Sequence, residues 1–313
     1  MKRAVAVASH SFGKNPTLHR ELLQLYPAAK FNETGRPLKD ADLIAFLRGH
    51  DKAITGLETL DDAIFSAVPE LKIVSKYGVG LDMIDLAAAR RRGVSVRWSP
   101  GVNRQSVAEL TIAFMLALAR NLVPLAREMR DGIWTSGGGR QISSATIGLV
   151  GCGHVGKAVA RLGRAFGANV LAHDIVHYGE FYRETGVAAV PLEVLLRESD
   201  FVSLHVPLDR STRGMIGAPQ LALMKRTGFL INTARGGIVD EVALKCALVD
   251  HTIGAAAFDV FQLEPPADAE LLNLPNFVAT PHIGASTAEA VLAMGRAAIT
   301  GLDDSSREVL SDP

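Results

Sequence analysis

The sequence predicts an α/β protein made of two doubly wound, parallel-sheet halves. Three observations carry that prediction. Short apolar runs alternate with helical patterns from Ala4 to Val96. A second alternating series runs from Ala145 to Ala279. Between them, Val102–Arg130 shows a helix pattern that is apolar on more than one face. Strands that alternate with helices pair in parallel, because each helix carries the chain back to the same edge of the sheet.

Composition limits the classes. The 313 residues suit one large or two ordinary domains. Hydrophobic residues make up 48% and charged residues 21%, which excludes a disordered chain, collagen and a disulfide scaffold. Lys+Arg and Asp+Glu both number 33, so no polybasic footprint points to nucleic acid or to a membrane surface. A local basic pocket for a small anion stays open. Cys152 and Cys246 form no C-x-x-C pair, so neither a metal site nor a disulfide is expected, in keeping with a reducing compartment. The apolar stretch Leu110–Ala119 is about half the ~20 residues a membrane span needs. The N-terminal apolar run breaks at Ser9-His10, too early for a signal peptide. A cytoplasmic protein is expected.

In the first half, strands are expected at Ala4–Ala8, Ala28–Phe31, Ala53–Thr55, Ile73–Ser75 and Val94–Val96. Helices are expected near Pro16–Leu25, Asp40–Arg48, Asp61–Val68 and Ile84–Arg92, the last ending at Gly93 as a helix C-terminus favours. The helix over Val102–Leu122, apolar nearly all round, is expected to be buried between domains or subunits. Gly137-Gly138-Gly139 reads as a loop and not as a phosphate cradle, because no lysine–threonine pair follows.

In the second half, strands are expected at Thr146–Val150, Asn169–Ala172, Phe201–Val206, Phe229–Asn232, Ala255–Phe258 and Phe277–Ala279. Helices are expected near Val155–Phe166, Leu192–Arg197, Pro219–Lys225, Glu241–Leu248 and Thr287–Thr300. The stretch His177–Arg183 reads as a solvated loop.

Gly151-Cys152-Gly153-His154-Val155-Gly156 is a G-x-G-x-x-G run that follows an apolar strand and opens a helix. Asp174 stands 18 residues beyond Gly156, at the end of the next strand. That context marks a Rossmann dinucleotide site. Gly151 permits the tight turn, Gly153 lets the pyrophosphate approach the backbone, and Gly156 lets helix and strand pack closely. The helix N-terminus offers free N–H groups to the phosphates. Asp174 would accept the adenosine ribose hydroxyls and repel a 2′-phosphate, so NAD is favoured over NADP.

Three polar residues follow strands in this half. Arg235 comes after Ile231–Ala234, Glu264 after Phe258–Leu263, and His282 after Ala279–Pro281. Residues beyond the carboxyl ends of a doubly wound sheet face its ligand crevice. There an arginine can hold a carboxylate bidentately. A histidine can give or take a proton near neutral pH. A glutamate can orient the imidazole and favour its charged form.

The ordered set Gly151–Gly156, His205-Val206-Pro207-Leu208, Asn232–Gly236, Asp259-Val260-Phe261 with Glu264-Pro265, and Pro281–Thr287, with Ser106–Leu110 before it, resembles the D-isomer-specific 2-hydroxyacid dehydrogenases, in particular phosphoglycerate dehydrogenase. The resemblance covers essentially the whole chain. It implies a Rossmann NAD domain at 100–284 inserted into a flavodoxin-like substrate domain made of 1–99 and 285–313, with closure by hinge motion at the two crossings. By that pattern Arg235 binds the substrate carboxylate and oxo group, His282 is the general acid–base, and Glu264 is its partner. Asp259 matches the residue that bonds the nicotinamide carboxamide. Pro207, Thr233 and Ala234 match backbone lining the ring, His154 and Val155 the pyrophosphate contacts, and His282 and Gly284 the segment beside the nicotinamide. Gly78-Val79-Gly80 matches the loop whose N–H groups meet the substrate carboxylate, with Val79 and Gly80 as contacts. His205 is read as structural. The long helix matches the family's dimer element, so a homodimer is expected.

Two departures bear on the substrate. Lys76 stands where phosphoglycerate dehydrogenases often carry an arginine, and reads equally as an anion ligand or a solvated lysine. Thr55-Gly56-Leu57-Glu58 replaces a second phosphate-binding arginine with an acidic residue. The expected activity is therefore NAD-dependent interconversion of a small D-2-hydroxy acid and its 2-oxo acid, with phosphorylation of the substrate left open. The alternatives are oxidation of a non-carboxylate anion such as phosphite, and a nucleotide-sensing, non-catalytic binding protein of the corepressor type.

Overall fold

The computed structural model describes residues 5–303; Ala4 of the first expected strand and residues 304–313 of the expected tail lie outside them. The chain divides into two compact units, one holding the described residues up to Asn103 and from Thr287 on, the other Arg104–Ser286. The divisions fall a few residues beyond 99 and 284 because helices start there. Arg104 opens one, and the Thr287 hydroxyl caps another by accepting the Ala290 N–H at 3.2 Å.

The first unit is a parallel sheet of β1 (Val5–Val7), β2 (Lys30–Phe31), β3 (Lys52–Thr55), β4 (Ile73–Lys76) and β5 (Ser95–Arg97), in the order β2-β1-β3-β4-β5. This is the flavodoxin-like order, with its switch point between β1 and β3. β1, β3 and β4 are buried along their whole length, as strands covered on both faces must be. The helix Pro16–Leu25 starts where it does because the Asn15 side chain accepts the N–H groups of Thr17 and Leu18, and because proline suits a first turn. Its Leu18 and Leu22 are fully buried one turn apart. The helix Ala288–Gly301 packs so closely on Leu18 that a Cβ at Gly295 would stand 2.2 Å from the leucine Cδ1. Ser75 and Lys52 then tie that segment to the sheet, donating to Ala298 O and Leu302 O at 2.7 Å each.

The second unit is a parallel sheet of β6 (Thr146–Val150), β7 (Asn169–His173), β8 (Ala188–Ala189), β9 (Phe201–Leu204), β10 (Phe229–Asn232), β11 (Ala255–Phe258) and β12 (Phe277–Ala279). The order is β12-β11-β10-β9-β6-β7-β8, so the winding reverses at β6. Counted from β6, the strands β8 to β11 follow the 3-2-1-4-5-6 order of dinucleotide-binding sheets, with β12 added at the edge. Alternation along β6 sends Ile147 and Leu149 to one core, with Ile112 and Met115 of the helix Arg104–Ala119. It sends Val150 to the other core, with Leu204, Leu230 and Phe258. Each fully buried leucine or isoleucine contributes about 1.5–3 kcal/mol.

Three expectations on local structure are corrected. The single helix over Val102–Leu122 is two, Arg104–Ala119 and Leu122–Arg130, bent by 63° about Asn121, whose φ of +51° ends helical bonding. The first is buried within the second unit's own core, not between domains or subunits as expected; the second buries none of its residues. The stretch read as a solvated loop contains the helix Gly179–Thr185, which buries Phe181 and Tyr182 and stops at Gly186 in the left-handed region. Phe201–Val206 ends as a strand at Leu204, where pairing with β6 and β10 stops. Among the described residues no single helix is long and apolar enough to cross a membrane.

Candidate active site

In the second unit every predicted site residue lies beyond a carboxyl strand end, and parallel strands put those ends on one edge. Gly151 follows β6, Asp174 follows β7, Pro207 lies beyond β9, Thr233 to Arg235 follow β10, Asp259 and Glu264 lie beyond β11, and His282 and Gly284 beyond β12.

The glycine turn has the shape its sequence requires. Gly151 has φ +96°, and a Cβ there would stand 2.6 Å from His205 O. A Cβ at Gly156 would stand 2.2 Å from Gly151 O, so only glycine permits the helix His154–Ala165 to approach the turn. Around Gly153 there is open space, and the helix has no side-chain cap. Its N–H groups are left for an anion, with His154 exposed and Val155 partly buried in the first turn. Asp174 joins the two loops at this end. Its Oδ2 accepts the Cys152 N–H at 2.6 Å and its Oδ1 the Val176 N–H at 2.8 Å. These residues fit a dinucleotide.

Beyond β10, Asn232 shapes the turn that carries Arg235. Its amide donates to Arg235 O at 2.9 Å, and its carbonyl accepts the Ala234 N–H at 3.1 Å. Thr233 is buried, with its hydroxyl 2.8 Å from that of Thr111. Thr111 donates to Val107 O, so Thr233 donates to Thr111. Pro207 O accepts the Thr212 hydroxyl at 2.7 Å.

Asp259, 1% exposed, holds the loop beyond β12. Its Oδ1 accepts the Thr280 hydroxyl at 2.6 Å and the Ile283 N–H at 2.7 Å, and its Oδ2 accepts the Gly284 N–H at 2.7 Å. Gly284 O in turn accepts the Ser106 hydroxyl at 2.6 Å. Between these anchors His282 takes φ +55°, a conformation costly for a side chain with a Cβ.

His282 Nδ1 and Glu264 Oε2 are 2.7 Å apart. The Glu264 bond raises the His282 pKa above its ordinary value of 6.5 against the opposing effect of burial, helped by the charges of Glu264 and Asp259. Burial pushes the Glu264 carboxyl up, but the His282 bond, the Phe261 N–H and the charges of His282 and Arg235 outweigh it and hold the pKa below the usual range. The second oxygen of Glu264 accepts the Phe261 N–H at 3.1 Å. With Nδ1 engaged, the other ring nitrogen is the one left for proton transfer.

His205 differs. Burial drives its pKa down to about 3. Its Nε2 lies 3.0 Å from Ser203 Oγ, and its buried Nδ1 has no partner among the described residues. Cys152 is also buried, and burial pushes its thiol up to about 11.

In the first unit Lys76 is 5% exposed and its ammonium donates to Gly56 O, which excludes the solvated reading. Glu58, also buried, accepts the Gly56 N–H at 2.6 Å. Val79 and Gly80 are partly buried, and Val79 O accepts the Trp98 indole N–H at 3.0 Å.

Residues 112–284 match the family model described as D-isomer specific 2-hydroxyacid dehydrogenase, NAD binding domain, more than half of the chain. The chain belongs to the D-isomer-specific 2-hydroxyacid dehydrogenases. This dehydrogenase is 44% identical over 239 residues to glyoxylate reductase of Korarchaeum cryptofilum, covering 74% of this chain and 72% of that one. It is 39% identical over 288 residues to hydroxypyruvate reductase of Thermotoga maritima, covering 90% and 93%. D-3-phosphoglycerate dehydrogenase of Methanocaldococcus jannaschii is 38% identical over 283 residues, which are 89% of this chain but 54% of that protein. The crystal structure of Aquifex aeolicus D-lactate dehydrogenase with NAD and lactic acid superposes with a TM-score of 0.85 at 28% identity, covering 95% and 93% of the two chains. The chain is thus an NAD-dependent oxidoreductase acting on 2-hydroxy acids.

Two features of the dehydrogenase's site were missed in its sequence. One is the Thr111–Thr233 bond; a threonine inside a nearly all-apolar helix was its signal. The other is Asp259's hold on the 280–284 loop, whose partners lie too far along the chain for any local pattern.

Proposed function

We propose that this dehydrogenase reduces a small, unphosphorylated 2-oxo acid of the hydroxypyruvate or glyoxylate type to the D-2-hydroxy acid, and runs in reverse on the hydroxy acid. The observation that carries the reading is the 2.7 Å His282–Glu264 pair, on the same sheet edge as the glycine turn and Asp174. Arg235 holds the substrate carboxylate. Bound NAD supplies or takes up the hydride. His282, kept protonated by Glu264, gives its proton to the C2 oxygen during reduction and recovers it during oxidation. Asp174 favours NAD over NADP, since a 2′-phosphate would meet its charge. The names of the K. cryptofilum and T. maritima relatives support the substrate class. The buried, acidic Glu58 argues against a phosphorylated acid. A homodimer is supported by the helix Leu122–Arg130 and its continuation, which leave Leu122, Met129, Ile133 and Trp134 exposed.

The test follows NADH absorbance with hydroxypyruvate, glyoxylate, pyruvate and 3-phosphohydroxypyruvate. His282→Ala is expected to lose on the order of 10²–10⁴ in kcat while still binding NADH. Full turnover in that variant would overturn the assignment.

A further inference from the structure

Glu241 opens the helix Glu241–Val249, six residues after Arg235. The helix is already capped by Asp240, which accepts the N–H groups of Val242 and Ala243. Glu241 is therefore not needed as a cap, and its side chain turns to another segment. Its Oε1 accepts the Gln262 N–H at 2.7 Å.

That N–H belongs to the Phe261–Gln262 peptide, on which two parts of the active site rest. A Cβ at Gly236 would stand 1.9 Å from Phe261 C and O and 2.4 Å from Gln262 N, so the Arg235–Gly236 turn lies directly on the peptide. The preceding N–H, of Phe261, is the one that Glu264 accepts. The Phe261 side chain is buried beside Phe258 and Phe277. Gln262, Leu263 and Glu264 are exposed, so packing does little to hold the segment after it. An acceptor on the Gln262 N–H fixes the start of that segment.

We propose that Glu241 is a positioning residue of the catalytic centre: its carboxylate anchors the Phe261–Gln262 peptide and so keeps Glu264 on His282. The inference rests on the proton-transfer reading of His282. Asp240, Asp268 and Glu264 set negative charge near Glu241, and Lys245, one turn on, is engaged by Asp268 and Glu270. Burial and those charges raise the Glu241 pKa against the opposing Gln262 N–H bond. A neutral carboxyl or an amide keeps the Oε1 acceptor.

Steady-state reduction by wild type, Glu241→Met, Glu241→Gln and His282→Ala tests this, with thermal melts and NADH fluorescence titrations on each. Glu241→Met keeps the bulk and helix propensity and removes the acceptor. It is expected to lose roughly tenfold in kcat, with the KM for the 2-oxo acid and the NADH affinity within about twofold, because misplacement costs rate more than binding. Its alkaline limb in kcat/KM should move to lower pH, as His282 loses support from Glu264 while Asp259 still holds the His282 loop and Asn232 still holds the Arg235 turn. Glu241→Gln is expected to restore most of the rate. In a Glu264→Gln background, Glu241→Met should cost nothing further. A lower melting temperature with unchanged kcat and pH limb, or losses that add in the double variant, would overturn the proposal. Should Glu241→Met fail to fold, an unchanged kcat in Glu241→Ser overturns it equally. Turnover that survives His282→Ala overturns the reading beneath it instead, whatever the Glu241 variants do.

Discussion

Glu264 Oε2 meets His282 Nδ1 at 2.7 Å across 18 residues of sequence, while Glu264 Oε1 accepts the Phe261 N–H. One carboxylate thus orients the imidazole and is itself oriented by backbone. The bond stabilises the charged ring, so the His282 pKa is raised.

In the proposed mechanism reduction needs the protonated ring, so its kcat/KM should hold at low pH and fall as pH rises through a value above 6.5. Oxidation needs the neutral ring and should rise through the same value. Glu264→Gln removes the charge, so both limbs should move to lower pH. Initial-rate profiles in both directions check this; a limb that stays in place in the variant would detach Glu264 from His282.

Asp259→Ala should loosen the His282 loop. The buried Gly284 N–H loses its acceptor, at about 1–3 kcal/mol, and the partly buried Ile283 N–H loses its own at a smaller cost. His282 would then leave its left-handed conformation. A lower melting temperature together with a loss in kcat is expected. A variant that loses only stability would separate loop anchoring from proton transfer.

Gly156→Ala should damage cofactor binding. Its Cβ would stand 2.2 Å from Gly151 O, and overpacking of this kind costs about 1–3 kcal/mol. The turn must shift to accept it. Fluorescence titration should show weaker NADH binding; an unchanged affinity would mean that the turn adapts without moving its N–H groups.

Asp174→Ser should relax cofactor choice. The charge that would meet a 2′-phosphate is lost, so the ratio of kcat/KM for NADPH to that for NADH should rise by about tenfold or more. The Cys152 and Val176 N–H groups also lose an acceptor, so some stability should go with it. Kinetics with the two cofactors decide it, and an unchanged ratio would place the selectivity elsewhere.

Most strands were legible in the sequence because strands covered on both faces are runs of apolar residues, as in Thr146–Val150, whereas β8, two exposed alanines, was not. The glycine turn and Asp174 were legible because their spacing reflects a local strand–turn–helix unit. The break at Asn121 was not, since an asparagine in the left-handed region looks like any polar residue in a helix. Pro124, which suits only a first turn, was the available signal. The helix Gly179–Thr185 was too short, and too mixed in charge and aromatics, to show a period. Arg235, Glu264 and His282 could be picked out as residue types after strands. The bonds that give them geometry, from Asn232, Phe261 and Asp259, depend on which strands neighbour one another.

His205 lies beneath the glycine turn, its carbonyl oxygen 2.6 Å from where a Cβ on Gly151 would be. Held uncharged by burial, with its pKa pushed down to about 3, it has no proton to gain between about pH 5 and 8. Of these two histidines on one sheet edge, one answers acidity and the other is deaf to it. The His282 end of that edge can be tuned to its surroundings without the floor of the glycine turn changing its electrical character.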